Sequence, residues 1–145
     1  MSLFRALCET PARLSTSSRF TALNGVFYMG VGAVLLIWPG AVQTLFRDPV
    51  FVGRESALVR VLGMTVAILG WFYFFGGRSG GRQVVAASVV DRIALVPLVL
   101  VPLAVTGVFP HLLLTLAIVD PVLGLVAWQL LRREQTAGMG DHPAA

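Results

Sequence analysis

Apolar residues run along this chain in four long stretches, residues 20–38, 57–75, 83–106 and 112–131, and polar residues collect in the gaps between them. None of the four alternates with period two. Each is close to the ~20 residues that a helix needs to cross ~30 Å of hydrocarbon. The pattern predicts an all-α chain with four membrane-spanning helices, because a helix satisfies its own backbone groups where no water is present. The first stretch follows Arg5, Arg13 and Arg19 and has the charged flank of a signal peptide. It is longer than a signal core of about 7–15 residues and closes on Trp38-Pro39-Gly40, so it is expected to be an uncleaved span. The second ends in Trp71-Phe72-Tyr73-Phe74-Phe75, read as an interfacial aromatic belt, ahead of the glycine- and arginine-rich turn 76–82. The third carries Pro97 and Pro102 and the fourth Pro121. Interior prolines kink helices, and two kinked spans would splay and leave a cavity, or else only shape packing. Gly25 and Gly32 on the first span, and Gly63, Ala67 and Gly70 on the second, have the spacing of small residues that let helices approach closely.

Composition agrees with this pattern. The chain is 57% hydrophobic and 12% charged, with mean hydropathy +0.83, whereas soluble domains carry about 25% charged residues. That excludes an ordinary soluble enzyme, a disordered chain and a typical nucleic-acid-binding domain. The net charge of +4 comes from eleven scattered arginines, and there is no lysine. Placed with the N-terminus inside, Arg5, Arg13, Arg19, Arg78, Arg82, Arg132 and Arg133 fall on the cytoplasmic side, against Arg47 and Arg54 outside. Seven against two predicts an N-in, C-in orientation. The expected layout is a cytoplasmic segment 1–19, a membrane domain 20–134 and a flexible cytoplasmic tail 135–145. The half-apolar segment 40–56 would lie along the outer surface.

The chain offers little to catalysis. Cys8 is its one cysteine, so an internal disulfide and a four-cysteine metal site are excluded. His111 and His142 fall in a turn and in the tail, and no cluster has metal-ligand spacing. The 76–81 glycines lack the Gly-Lys-Ser/Thr ending of a phosphate loop. No nucleophile triad assembles. The expectation is a non-enzyme with no cofactor and no metal.

The candidate chemistry lies in four ionisable residues inside the apparent spans: Arg60, Asp91, Arg92 and Asp120. A charge at the bilayer centre costs about 2.5–3.5 kcal/mol on insertion scales, so such residues face the bundle interior and find partners. At a rise of about 1.5 Å per residue, Arg92 and Asp120 differ in depth by only about 5 Å. Arg60 sits nearer the outer edge, free to reach down to Asp120 or to snorkel outward. Asp91 and Arg92 are sequence neighbours, about 100° apart on a helix, and cannot pair with each other along it. The four charges sum to zero, which predicts a neutral intramembrane cluster built on Arg92 and Asp120, with Asn24, Tyr28, Thr65, Ser88 and Thr115 as satellite hydrogen-bonding groups. Two readings stay open: an ion-pair network that fixes helix register, or a titratable, ligand-binding polar site.

The residues Val59-Arg60-Val61-Leu62-Gly63, Leu69-Gly70-Trp71-Phe72-Tyr73, Asp91-Arg92 and Asp120-Pro121 resemble the small four-helix membrane proteins of the DoxX-like group over residues 20–133. The resemblance implies an antiparallel four-helix bundle in the bacterial inner membrane, and for some relatives quinone-linked oxidation of sulfur compounds or membership of redox-stress complexes. It transfers no catalytic residue. The expected role is a non-catalytic subunit or accessory factor whose partners are membrane lipid, a membrane protein or further copies of itself, with a quinone or lipid as ligand and no nucleic acid. Proton-coupled or small-solute transport as an oligomer is one alternative, and a quinone-linked redox component is another.

Overall fold

The computed structural model describes residues 9–139. Arg5, Cys8 and His142 lie outside the described residues. Helix α1 is Thr16–Ile37, the short α2 is Ala41–Phe46 and α3 is Glu55–Arg78. The third stretch is α4, Arg82–Val90, a π-helical turn Asp91–Leu95, and α5, Val96–Val105; α6 is Pro110–Met139. No strand occurs among the described residues. The four apolar stretches are thus four helices, each long and apolar enough to cross a membrane, with mean hydropathy 1.8 to 2.2. Every one of the four helices starts earlier than the sequence expectation, whereas the first and third end one residue sooner and the second and fourth end later. Residues 16–19 belong to α1, and residues 135–139 of the expected flexible tail continue α6.

Helices α1 and α3 run in opposite directions with their backbones almost touching. Gly25 faces Gly70, Gly32 faces Gly63, and Ser18 and Ala22 face Gly77. A Cβ on Gly70 would stand 2.5 Å from the Met29 amide nitrogen, and one on Gly63 2.6 Å from that of Leu36. Only glycine admits so close an approach. On α3 the buried positions are Val59, Gly63, Val66, Gly70, Tyr73 and Gly77, a seven-residue repeat in which glycines bring the helices together and larger residues fill the space between.

The π-helical turn has a local cause. Pro97 has no N–H to return to the carbonyl of Ile93, and its ring would crowd that carbonyl in a regular helix. Widening by one residue relieves the crowding; here the Val96 N–H reaches back to Asp91. The same turn redirects Asp91 and Arg92 at mid-helix. Helix α6 approaches it closely at Gly124, where an added Cβ would stand 3.2 Å from the Arg92 Cβ and 2.9 Å from Ile93 Cγ1.

Two carboxylates tie the helix ends together. Near the end of α6, Glu134 accepts from the Ser17 amide at 2.8 Å and the Ser17 hydroxyl at 2.6 Å, and so caps the start of α1. Ser15 caps the same end by accepting from the Ser18 amide at 3.2 Å. At the other end, buried Asp48 follows Arg47, whose left-handed φ of 59° ends α2. Its two oxygens accept from the His111 and Leu112 amides at 2.9 Å each, capping α6. Both sites satisfy amide groups that a helix start leaves unpaired, and both place negative charge at the positive end of the helix dipole.

Candidate functional site

The site forms where α1, α3, the π-helical turn and α6 meet. Arg92 lies at its centre, the largest fully buried side chain among the described residues, at 0% exposure. Its guanidinium carbon is 4.4 Å from the Tyr73 ring centre and 5.0 Å from the Tyr28 ring centre. The two rings meet edge to face, 5.6 Å apart. The Tyr73 hydroxyl donates to Asp91 Oδ2 at 2.5 Å, and the Tyr28 hydroxyl donates to Asp120 Oδ1. The result is a chain of contacts running Asp91, Tyr73, Arg92, Tyr28, Asp120.

Each link has a physical basis. A cation over an aromatic face is held by the ring quadrupole, by ~2 kcal/mol or more when desolvated. A phenol that donates to a carboxylate gains electron density in its ring, which strengthens its hold on the cation. The guanidinium therefore interacts with both aspartates through tyrosines. Its three nitrogens have no hydrogen-bond partner among the described residues.

Arg92, Asp91 and Asp120 come together as the sequence suggests, with Tyr28 as the satellite that links two of them. Arg60 does not join them. It is exposed, and its Nη1 donates to the Leu36 carbonyl at 2.7 Å, one of the carbonyls left open at the end of α1. This corrects the expectation of a neutral cluster: without Arg60, two carboxylates face one guanidinium. Of the other satellites, Thr65 donates to the Val61 carbonyl, Ser88 to that of Val85 and Thr115 to that of His111, all within their own helices. Asn24 is buried, and its Nδ2 has no partner among the described residues. His111 lies away from Asp120, with its ring Nδ1 2.9 Å from Asp48 Oδ1.

Tyr73 is the member that sequence reasoning missed. The sequence pattern groups it with an interfacial aromatic belt, but it is buried while its neighbours Trp71 and Phe72 are exposed. The signal was the α3 repeat: Tyr73 lies three residues after Gly70 and four before Gly77, on the face those glycines define.

A cavity of about 370 Å³ opens beside this chain, between all four long helices. Its walls are apolar, with Phe27, Val31, Leu62, Val66, Leu100 and Leu116 among them. Asp91, Asp120 and Tyr28 also line it, together with Thr65 and Thr115. Arg92 does not. Each aspartate spends one oxygen on a tyrosine and has a second that takes no hydrogen bond among the described residues. No group of three or more metal-ligating side chains occurs among the described residues. Neither a family model, nor a curated protein, nor a solved structure matches this chain.

Proposed function

We propose that this chain is a multi-pass membrane protein that holds a small amphipathic molecule in its central cavity, as a non-catalytic subunit or accessory factor. The carrying observation is the cavity itself: about 370 Å³, apolar along its walls, with Asp91, Asp120 and Tyr28 in its lining. Apolar pockets with a few convergent polar groups are the usual form of ligand sites, at about 300–1,000 Å³. Membrane insertion is supported by the outward faces of the long helices, where Leu23, Leu58, Phe72, Leu98, Val105 and Ile118 are exposed. Contiguous apolar surface of that kind marks contact with lipid or another membrane protein. On this reading the helices form an antiparallel four-helix bundle, N-in and C-in. The arginine-poor end, with α2, faces outward, and the bacterial inner membrane is the expected location. The DoxX-like resemblance makes a quinone one candidate occupant.

The test is binding of a short-chain quinone, a lysolipid and a fatty amine to the purified full chain in lipid nanodiscs, read by native mass spectrometry. At least one is expected to bind, and Leu116→Trp, which fills the cavity, is expected to abolish that binding. If none binds, or if Leu116→Trp binds as the wild type does, the cavity is not a ligand site.

A further inference from the structure

The charges beside the cavity do not balance, and the imbalance selects an occupant. Four elements present ionisable groups here: Tyr28 from α1, Tyr73 from α3, Asp91 and Arg92 from the π-helical turn, and Asp120 from α6. The two tyrosines are neutral donors. The guanidinium offsets one carboxylate, which leaves one negative charge uncompensated in apolar surroundings. Such a charge is expensive unless it is neutralised. Arg92 is held against both rings and is absent from the cavity wall, so the charged groups that line the cavity are carboxylates, each with an oxygen that takes no hydrogen bond among the described residues. Carboxylates accept hydrogen bonds and attract cations. They offer nothing to the carbonyl oxygens of a quinone or to an anionic lipid head unless they are first protonated.

We propose that the cavity takes a monovalent organic cation with an apolar body, a lipophilic amine or quaternary ammonium, whose charge is held between Asp91 and Asp120. The inference rests on the binding-site reading above and names the occupant's class. The occupant's single positive charge, together with Arg92, balances the two carboxylates, so the occupied site carries no net charge.

Ten-carbon probes that share one tail and differ in the head separate the possibilities: decyltrimethylammonium, decanol and decanoate, each added to the full chain in phosphatidylcholine nanodiscs. Leu116→Trp discs supply the correction for partition into lipid. The ammonium is expected to bind at least about tenfold tighter than decanol, the equivalent of one charge-assisted contact. Decanoate is expected not to bind. Asp91→Asn and Asp120→Asn are each expected to abolish the preference for the ammonium while keeping decanol binding, which also shows that the variant is folded. If decanol or decanoate binds as well as the ammonium, the cavity remains a ligand site and the cation inference falls. If none of the probes binds, and the short-chain quinone and lysolipid also fail, the binding-site reading falls with it.

Discussion

Tyr28 and Tyr73 stand edge to face on neighbouring helices, and each directs its ring at Arg92 and its hydroxyl at a different aspartate. The two are not equivalent. Asp120 is buried, whereas Asp91 is half-buried. Removing the Tyr28 hydroxyl therefore strands a buried carboxylate, while the loss of the Tyr73 hydroxyl leaves Asp91 better able to find another donor. Tyr28→Phe is expected to destabilise by about 1–3 kcal/mol, as an unsatisfied buried group does, and Tyr73→Phe by less. Leucine at either position also removes the ring under the cation and is expected to exceed the phenylalanine variant. Thermal unfolding in mild detergent checks the ranking. Equal losses for Tyr28→Phe and Tyr73→Phe would show that the hydroxyls do not act through differently buried partners.

Among the described residues Arg92 is the one cation at this site, so its removal leaves two carboxylates facing each other across tyrosines. Breaking a buried ionic contact by deleting one partner costs about 3–5 kcal/mol. Arg92→Met is expected to fall in that range. Adding Asp120→Asn to Arg92→Met is expected to recover part of the loss, because it removes a charge that no longer has a counter-charge. Arg92→Lys keeps the charge but loses the planar group that lies on both rings, and is expected to be intermediate. Unfolding of the three variants side by side is the measurement. A double variant less stable than Arg92→Met alone would show that the aspartate is held by something other than the arginine.

Much of this arrangement was visible in the chain, and the omissions have specific causes. The four helices follow from the length of the apolar runs, since no other structure hides that many backbone groups. The meeting of Asp91, Arg92 and Asp120 follows from depth, which a constant helical rise makes calculable. Rotation about the helix axis is what depth does not give. Arg60 has a suitable charge but lies at the end of α1, where an open carbonyl takes it. Tyr73 looked like one aromatic among five, and only the glycine repeat on either side fixes its direction. The π-helical turn adds a residue to the third helix and shifts the phase of everything after it, which a regular periodicity cannot anticipate. The Glu134 and Asp48 caps bridge residues 117 and 63 positions apart, and nothing local marks them.

The contact between α1 and α3 makes opposite predictions for glycines on the same helix. A Cβ at Gly70 would meet the Met29 backbone at 2.5 Å, whereas one at Gly30 would meet nothing within 4 Å. Gly70→Ala must push two backbones apart, and overpacking of this kind typically costs about 1–3 kcal/mol. Gly30→Ala loses no contact and restricts the unfolded chain, for an expected gain of roughly 0.5–1 kcal/mol. Because Tyr28 and Tyr73 sit across this same seam, Gly70→Ala is also expected to weaken ligand binding in the cavity, and Gly30→Ala is not. Melting temperature and probe binding on both variants test the two effects together.

Asp48 and His111 are joined at 2.9 Å, yet the capping of α6 depends on one of them far more than on the other. The Asp48 carboxylate is fully buried and accepts from two backbone amides, whereas the His111 ring is 60% exposed. An exposed pair with a histidine contributes ~0–1 kcal/mol. Loss of a cap leaves amide groups unpaired and costs about 0.5–2 kcal/mol. Asp48→Ala is therefore expected to lower stability by about 1–2 kcal/mol at the least, while His111→Ala changes it by a few tenths, since the backbone amide of residue 111 still donates. Asp48→Asn keeps the shape and one acceptor, and is expected to lie between. Hydrogen exchange at the Leu112 amide gives a local readout that global unfolding lacks: it should accelerate in Asp48→Ala and stay unchanged in His111→Ala. Equal acceleration in both would mean that the carboxylate holds the start of α6 only with the imidazole in place.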